Sequence, residues 1–571
     1  MNKKKTLMSL LLDYRYSILA GLGALTVVDL CQLSIPLIIE RVVDTLTLKD
    51  ASFRDVTRYA LYVLGLALIM SIFRFFWRYF ILGASRKIER SLRNDFFSHL
   101  QKLSFDFFAR KKTGDIMAHT VNDIEAIKMA CGIGVLIAYD GIFLMIFILV
   151  AMLYVSPKLA LFAFIPFPIL AVIVYKFGSM IEDRFEKVQA SFSQLTENAR
   201  EAISGIKVVK AFVREKSEIR DFEASSNEYL DKNLYLIKIW GVFQPLITFM
   251  AGIATAIFLW LGGMSTITHD ITLGDFAAIL AYLAMLNWPM MAMGWAYDMI
   301  KRGNASIRRI NEILLTQPKS EDPSSVELHA QGNIEFKNLS FSYNGTRALN
   351  GLNLAIHRGK AIGITGGTAS GKSTLFKLLM KIEDPPQGHI FVDGFDVGKI
   401  KRESLRKEIV FVPQETTIFS GTIKDNISFM NPNVSDEQVV EAVKLAQIYD
   451  EIMEFPGGFE ARVGERGLSL SGGQRQRVAL ARAILLHPKV LILDDVLSSL
   501  DLSTESMVLK NLRMVMNGKT LVVISSRVPS ISGFDTIAVF EKGRVVETGC
   551  HNELMAKDGI YARLYKVQAF N

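Results

Sequence analysis

The sequence predicts an α-helical membrane domain of six spans with long cytoplasmic extensions, followed by a soluble α/β domain built around a phosphate-binding loop. Three observations predict it. Half of the 571 residues are apolar, and the long apolar stretches are confined to about 16–300, where each approaches the roughly 20 residues a helix needs to cross a bilayer. Beyond about 320 the composition becomes that of an ordinary soluble domain. That second part contains KAIGITGGTASGKSTL, an apolar strand running into a glycine-rich turn and then a helix. The expected organisation is a membrane domain at 1–315, a linker at 316–332 and a nucleotide-binding domain at 333–571.

Taken in order, the basic start MNKKK precedes an apolar run from Tyr16. A cleaved signal peptide fits poorly, because the apolar character continues past Asp29 to Ile39. Spans are expected at about 16–39, 57–83, 132–155, 158–178, 239–264 and 275–300. The loops after spans 1, 3 and 5 are short. Those after spans 2 and 4 are long and rich in Lys and Arg, which places them, both termini and the soluble domain in the cytoplasm of a cell-membrane protein. The formal charge of +8 is explained by those loops and the soluble half, so nucleic acid is not expected as a partner. The long loops carry apolar residues at three- to four-residue spacing and almost no Gly or Pro, so the spans should continue as helices into the cytoplasm. TQPKSEDPSSVELHAQGN, polar and with two prolines, reads as the linker. Cys31, Cys131 and Cys550 lie far apart and form neither a disulfide framework nor a metal motif.

The phosphate loop runs through Gly366, Gly367, Thr368, Ala369, Ser370 and Gly371 to Lys372, Ser373 and Thr374. Glycines there let backbone N–H groups wrap phosphate oxygens. Lys372 adds positive charge, Ser373 holds Mg²⁺, and the helix start adds its dipole. ATP with Mg²⁺ is the expected ligand. A later strand, VLILDD, ends in Asp494 and Asp495, where the first carboxylate suits the metal of a phosphate-loop NTPase.

Between them stands LSLSGGQRQRVALARAILL. Its Leu470, Ser471, Gly472, Gly473 and Gln474 match the signature of ABC ATPases, and the soluble half resembles that family throughout. The resemblance implies a second anion-binding helix start that serves the ATP held by an opposite cassette. It also implies that Tyr343 stacks on adenine, that Gln414 contacts Mg²⁺ and the attacking water, and that Ser498-Ser499-Leu500-Asp501 crosses between cassettes. FDFFARKKTGDIMAHTVNDIEAI and ENAREAISGIKVVKAFVREKSE resemble the two intracellular loops of six-helix ABC exporters, whose short transverse helices dock on the cassettes.

Two catalytic positions depart from the pattern. Active members of the family have Glu where this chain has Asp495, and His where it has Ser526. The shorter carboxylate falls about 1 Å short, a displacement that can cost ~10²-fold in rate. Serine lacks the imidazole's reach to a γ-phosphate. With Asp495 and Ser526 altered and Gln414 retained in the catalytic set, the chain resembles the degenerate-site subunit of heterodimeric bacterial multidrug ABC exporters. The implied partners are a non-identical half-transporter with Glu and His in place, membrane lipid, and hydrophobic or amphiphilic small-molecule cargo. A lipid or lipid-conjugate flippase and an ATP-gated regulatory subunit are the alternatives. Met285, Met290, Met291, Met293, Trp288 and Trp295 around Pro289 fit either helix packing or an adaptable cargo wall. Asp29, Arg74, Arg78, Asp140 and Asp298 fit either pairing between helices or cargo contact.

Overall fold

Apolar runs in the first half become helices that outlast the membrane. In a computed structural model, residues 4–47, 52–318, 325–343, 345–429, 431, 433–464 and 470–569 are described. The helices are α1 (Leu7–Asp13), α2 (Arg15–Thr47), α3 (Phe53–Leu100), α4 (Phe105–Arg110) and α5 (Thr113–Val155). They continue as α6 (Pro157–Phe164), α7 (Pro166–Ser204), α8 (Ile206–Ala211), α9 (Glu215–Ile267) and α10 (Leu273–Leu314). The 53 residues of α9 span about 80 Å at 1.5 Å per residue, against roughly 30 Å of hydrocarbon. The excess extends beyond the bilayer. Among the described residues, α2, α3, α5, α9 and α10 are long and apolar enough to cross a bilayer. The expected span at 158–178 falls on α6 and the start of α7, which meet at Pro166, where proline lacks the N–H that would continue one helix into the next.

The chain divides into two units, Met1–Gln101 with Lys112–Gln317, and Lys102–Lys111 with Pro318–Asn571. Composition alone groups 102–111 with the membrane domain, whereas packing groups it with the cassette. Part of the expected linker, 319–324, lies outside the described residues.

In the first unit α2 buries Ile18, Gly21, Leu25 and Val28 on one stripe. Gly21 is required there, because a Cβ would lie 2.4 Å from Cγ1 of Ile81. On α3, Leu61, Leu64 and Leu68 are exposed, the surface a lipid-facing helix presents. Several charges in the spans have partners within the unit. Asp140 accepts from Nε1 of Trp288 at 2.7 Å, and Arg302 pairs with Asp298.

In the second unit the strands are β1 (Ile334–Tyr343), β2 (Thr346–Ile356), β3 (Ala361–Gly366), β4 (Ile390–Val392), β5 (Phe395–Asp396) and β6 (Ile409–Val412). After them come β7 (Gly421–Thr422), β8 (Arg462–Val463), β9 (Val490–Asp494), β10 (Thr520–Ile524), β11 (Thr536–Glu541) and β12 (Arg544–Gly549). A small antiparallel sheet runs β2-β1-β4-β5, and the main sheet runs β12-β11-β3-β10-β9-β6. From β11 to β6 all pairings in the main sheet are parallel. Every residue of β9 and β10 is buried, as expected for parallel strands covered on both faces. Helices α11 (Lys372–Leu379), α12 (Gly472–Leu485), α13 (Leu502–Val515) and α14 (Ile560–Ala569) matter most for the site.

Candidate functional site at the ends of four parallel strands

Sheet register assembles the site. Ile524 of β10 pairs with Ile364 of β3 on one side and Asp494 of β9 on the other, and Leu493 pairs with Val412 of β6. The residues that leave these four strands therefore emerge side by side at their carboxyl ends, where open α/β sheets bind ligands. They are the phosphate loop after β3, Gln414 after β6, Asp495 after β9 and Ser526 after β10.

The loop geometry demands glycine at two points. Gly366 sits at φ +145° with its missing Cβ only 2.1 Å from the Phe540 carbonyl oxygen, and Gly371 sits at φ +96° against the Ala348 carbonyl oxygen at 2.6 Å. Nζ of Lys372 donates to the carbonyls of Gly366 (2.9 Å) and Gly367 (2.8 Å) and to Oγ of Ser370 (3.2 Å). Burial lowers the Lys372 pKa, against the attraction of Asp494 and Asp495. Burial likewise raises the Asp494 pKa, opposed by a hydrogen bond from Ser373 and by Lys372. A Ser373 hydroxyl beside a buried carboxylate is a hard-oxygen donor set that suits Mg²⁺ completed by phosphate oxygens. Among the described residues no cluster of three or more His, Cys, Asp or Glu could hold a metal by itself.

Tyr343 ends β1 with its ring centroid 5.0 Å from that of Phe341. Burial raises its pKa, and a hydrogen bond with Thr374 works the other way and ties the ring to the phosphate-loop helix.

The two departures noted in the sequence meet in space. Oδ1 of Asp495 accepts from the backbone N–H (3.2 Å) and the hydroxyl (3.0 Å) of Ser526, and Oδ2 lies 3.5 Å from Nε2 of Gln414. Asp495 itself sits at φ +51°. Sequence reasoning placed both positions in one altered site but missed their bond. It also missed Gln568 of α14, whose amide donates to the Ser526 carbonyl at 3.0 Å and accepts from the Val528 N–H at 2.7 Å. Forty-two residues separate Gln568 from Ser526, so no local pattern signals it. Arg527 is tied to the Leu500 carbonyl (2.8 Å) and to buried Glu505 (3.0 Å).

The signature lies apart from this constellation. Ser471 caps α12, exchanging hydrogen bonds with Gln474, and Gln474 donates to Glu451 at 2.9 Å. A Cβ on Gly472 would meet nothing closer than Ser499 Oγ at 3.9 Å. Leu470 is buried as the anchor of the turn. The side chains of 471–474 make no hydrogen bond to the phosphate loop among the described residues.

A cavity of about 970 Å³ joins Ser373, Asp494 and Gln414 to Phe105 and Phe108 of α4. Helix α4 thus borders the same space as Ser373, Asp494 and Gln414.

Residues 18–290 match the ABC transporter transmembrane region, and 349–498 match the ABC transporter ATPase family. A probable multidrug resistance ABC transporter ATP-binding/permease protein of Bacillus subtilis, YheI, is 34% identical over 89% of this chain and 88% of its own length. An ATP-dependent lipid A-core flippase of Desulfotalea psychrophila is 33% identical over 91% and 92%. A bacterial Atm1-family ABC exporter solved with ATP bound superposes with a TM-score of 0.81 at 25% identity, over 97% of this chain and 99% of that one.

Proposed function

This chain belongs to the ABC transporter family, as a half-transporter whose membrane domain is fused to its ATPase cassette, and on that premise we propose that it is the degenerate-site subunit of a heterodimeric exporter. As a family member it is a multi-pass membrane protein that couples ATP hydrolysis to export. The cargo is hydrophobic or amphiphilic, in keeping with the name of the Bacillus relative.

The observation that carries the degenerate-site reading is the Asp495–Ser526 bond. The carboxylate is one methylene shorter than the glutamate of active members, and its Oδ1 is held by the serine that replaces histidine. A carboxylate so engaged is poorly placed to orient water. ATP is then gripped by the phosphate loop and Tyr343 and turned over slowly. Ser373, Asp494 and Gln414 would hold Mg²⁺, which would neutralise charge on the phosphate oxygens. Gly472 presents bare backbone at a helix start, suited to the γ-phosphate of a partner's ATP. A partner is further supported by α8 and its flank, where Val208 is 62% and Phe212 is 73% exposed in a cytoplasmic loop, large apolar side chains that a second cassette would cover.

The test is ATPase activity of this chain alone and of the purified pair. Replacing the partner's glutamate is expected to nearly abolish turnover, and Asp495→Ala to reduce it only modestly. Robust turnover by this chain alone would defeat the reading. The flippase alternative is favoured by the near-equal identity to the lipid A-core flippase. Lipid-stimulated turnover with lipid translocation in vesicles would select it.

A further inference from the structure

A cleft of about 570 Å³ lies in the first unit between the segment before α1 and the cytoplasmic end of α10. Its cationic wall is Lys4, Lys5, Lys301 and Arg308. Two of these charges are already answered, since Lys5 pairs with Asp95 at 2.5 Å and Lys301 with Glu182 at 2.7 Å. Lys4 and Arg308 form no ion pair among the described residues, which leaves two positive charges facing one space. The same face of α10 also lines the cleft with apolar groups, Ile300, Ile307 and the ring of Tyr297.

The cleft is built rather than incidental. The N–H of Lys5 donates to Oδ1 of Asn311 at 3.0 Å, and Nδ2 of Asn311 donates back to the Lys5 carbonyl at 2.7 Å. This reciprocal pair fastens the extended segment along α10, so that Lys4 and Arg308 line one cleft. Its depth follows from the helices on either side. The last span is expected to end near residue 300, and the adjoining α1 exposes Met8 (66%) and Leu12 (56%), side chains that a membrane interface would cover.

We propose that this cleft binds the phosphate headgroup of an anionic phospholipid from the inner leaflet. Phosphate oxygens meet Lys4 and the guanidinium of Arg308, whose planar fork matches them in two-point contact. The glycerol and upper acyl carbons lie on Ile300 and Tyr297. Phosphate ester is a chemistry that soluble compounds share, but a half-apolar wall at interfacial depth selects the lipid source. Basic clefts between spanning helices at a cytoplasmic leaflet suit this chemistry. The site is independent of the degenerate-site reading and of cargo identity.

The experiment is native mass spectrometry of the full-length chain in detergent, titrated with dioleoyl phosphatidylglycerol or dioleoyl phosphatidylcholine. The first phosphatidylglycerol should bind about 25-fold tighter than phosphatidylcholine. Lys4→Gln and Arg308→Gln should each remove about 5-fold of that preference and the double variant should erase it, while Arg308→Lys retains part. Lys4 lies outside any helix, so Lys4→Gln still reads the site if an Arg308 variant fails to fold. Millimolar inorganic phosphate should leave the bound lipid in place. Equal binding of the two lipids by the unmodified chain, an undiminished preference in Lys4→Gln or the double variant, or displacement by inorganic phosphate would each overturn the proposal.

Discussion

Lys372 makes three hydrogen bonds within its own loop, so the charge that meets phosphate is already positioned by backbone carbonyls. Removing it strips one charged partner from a partly buried site, worth roughly 1.5–3 kcal/mol per such bond. Lys372→Ala is therefore expected to weaken ATP at this chain's own site by about 10- to 150-fold, measured by photolabelling with an azido-ATP. Unchanged occupancy would count against the nucleotide site. Tyr343→Ala should cost about 1–3 kcal/mol by analogy with base stacking on aromatic rings. Arg527 plays a structural part. Glu505 is 2% exposed, and its Oε1 is buried without a hydrogen-bond partner among the described residues while Oε2 accepts from Arg527. Arg527→Ala leaves that carboxylate uncompensated, and the expected loss is near the low end of ~3–5 kcal/mol because the arginine is itself partly exposed. A melting temperature indistinguishable from the unmodified protein would contradict this.

At the scale of elements, two glycines in similar-looking motifs have opposite reasons. Gly366 cannot accept a side chain, because the backbone sits at φ +145° and Phe540 O occupies the space. Gly366→Ala should therefore destabilise the cassette by about 1–3 kcal/mol of backbone strain or more. Gly472 has open space around it and opens α12, where alanine is a better helix former than glycine by about 1 kcal/mol. Gly472→Ala is expected to keep or slightly raise the melting temperature while lowering turnover at the partner's site. Loss of stability with unchanged turnover would mean the glycine serves the fold and not an anion. Ser471→Ala, by contrast, removes the cap of α12 and should cost ~1 kcal/mol of stability.

For the whole molecule, the long loops rich in Lys and Arg are expected to face the cytoplasm. A cysteine introduced at residue 270, in an otherwise cysteine-free background, should react with a membrane-impermeant maleimide added outside intact cells, and one at residue 205 should not. The reverse pattern would invert the topology. The exposed apolar flank of α8 predicts a further consequence of pairing. Phe212→Glu should leave the isolated chain folded, since Phe212 is 73% exposed, and should weaken coupling of ATP turnover to cargo in the assembled pair.

Composition and motif order by themselves determined the helical membrane half, the α/β half, the family and the nucleotide it binds. Those features are local in sequence: apolar runs near 20 residues, a strand–glycine loop–helix unit, and the LSGGQ turn entering an amphipathic helix. Only the tertiary structure decided how the departures combine. Asp495 and Ser526 follow the carboxyl ends of neighbouring parallel strands, so a register that pairs Ile524 with Asp494 brings together residues 31 apart, and Gln568 reaches the same segment from α14. Side-chain hydrogen bonds of that kind depend on strand order and helix placement, which no window of sequence contains. The same holds for the cleft at Lys4 and Arg308, where the charges are visible in the sequence but their neutralised and unneutralised members are sorted only by packing.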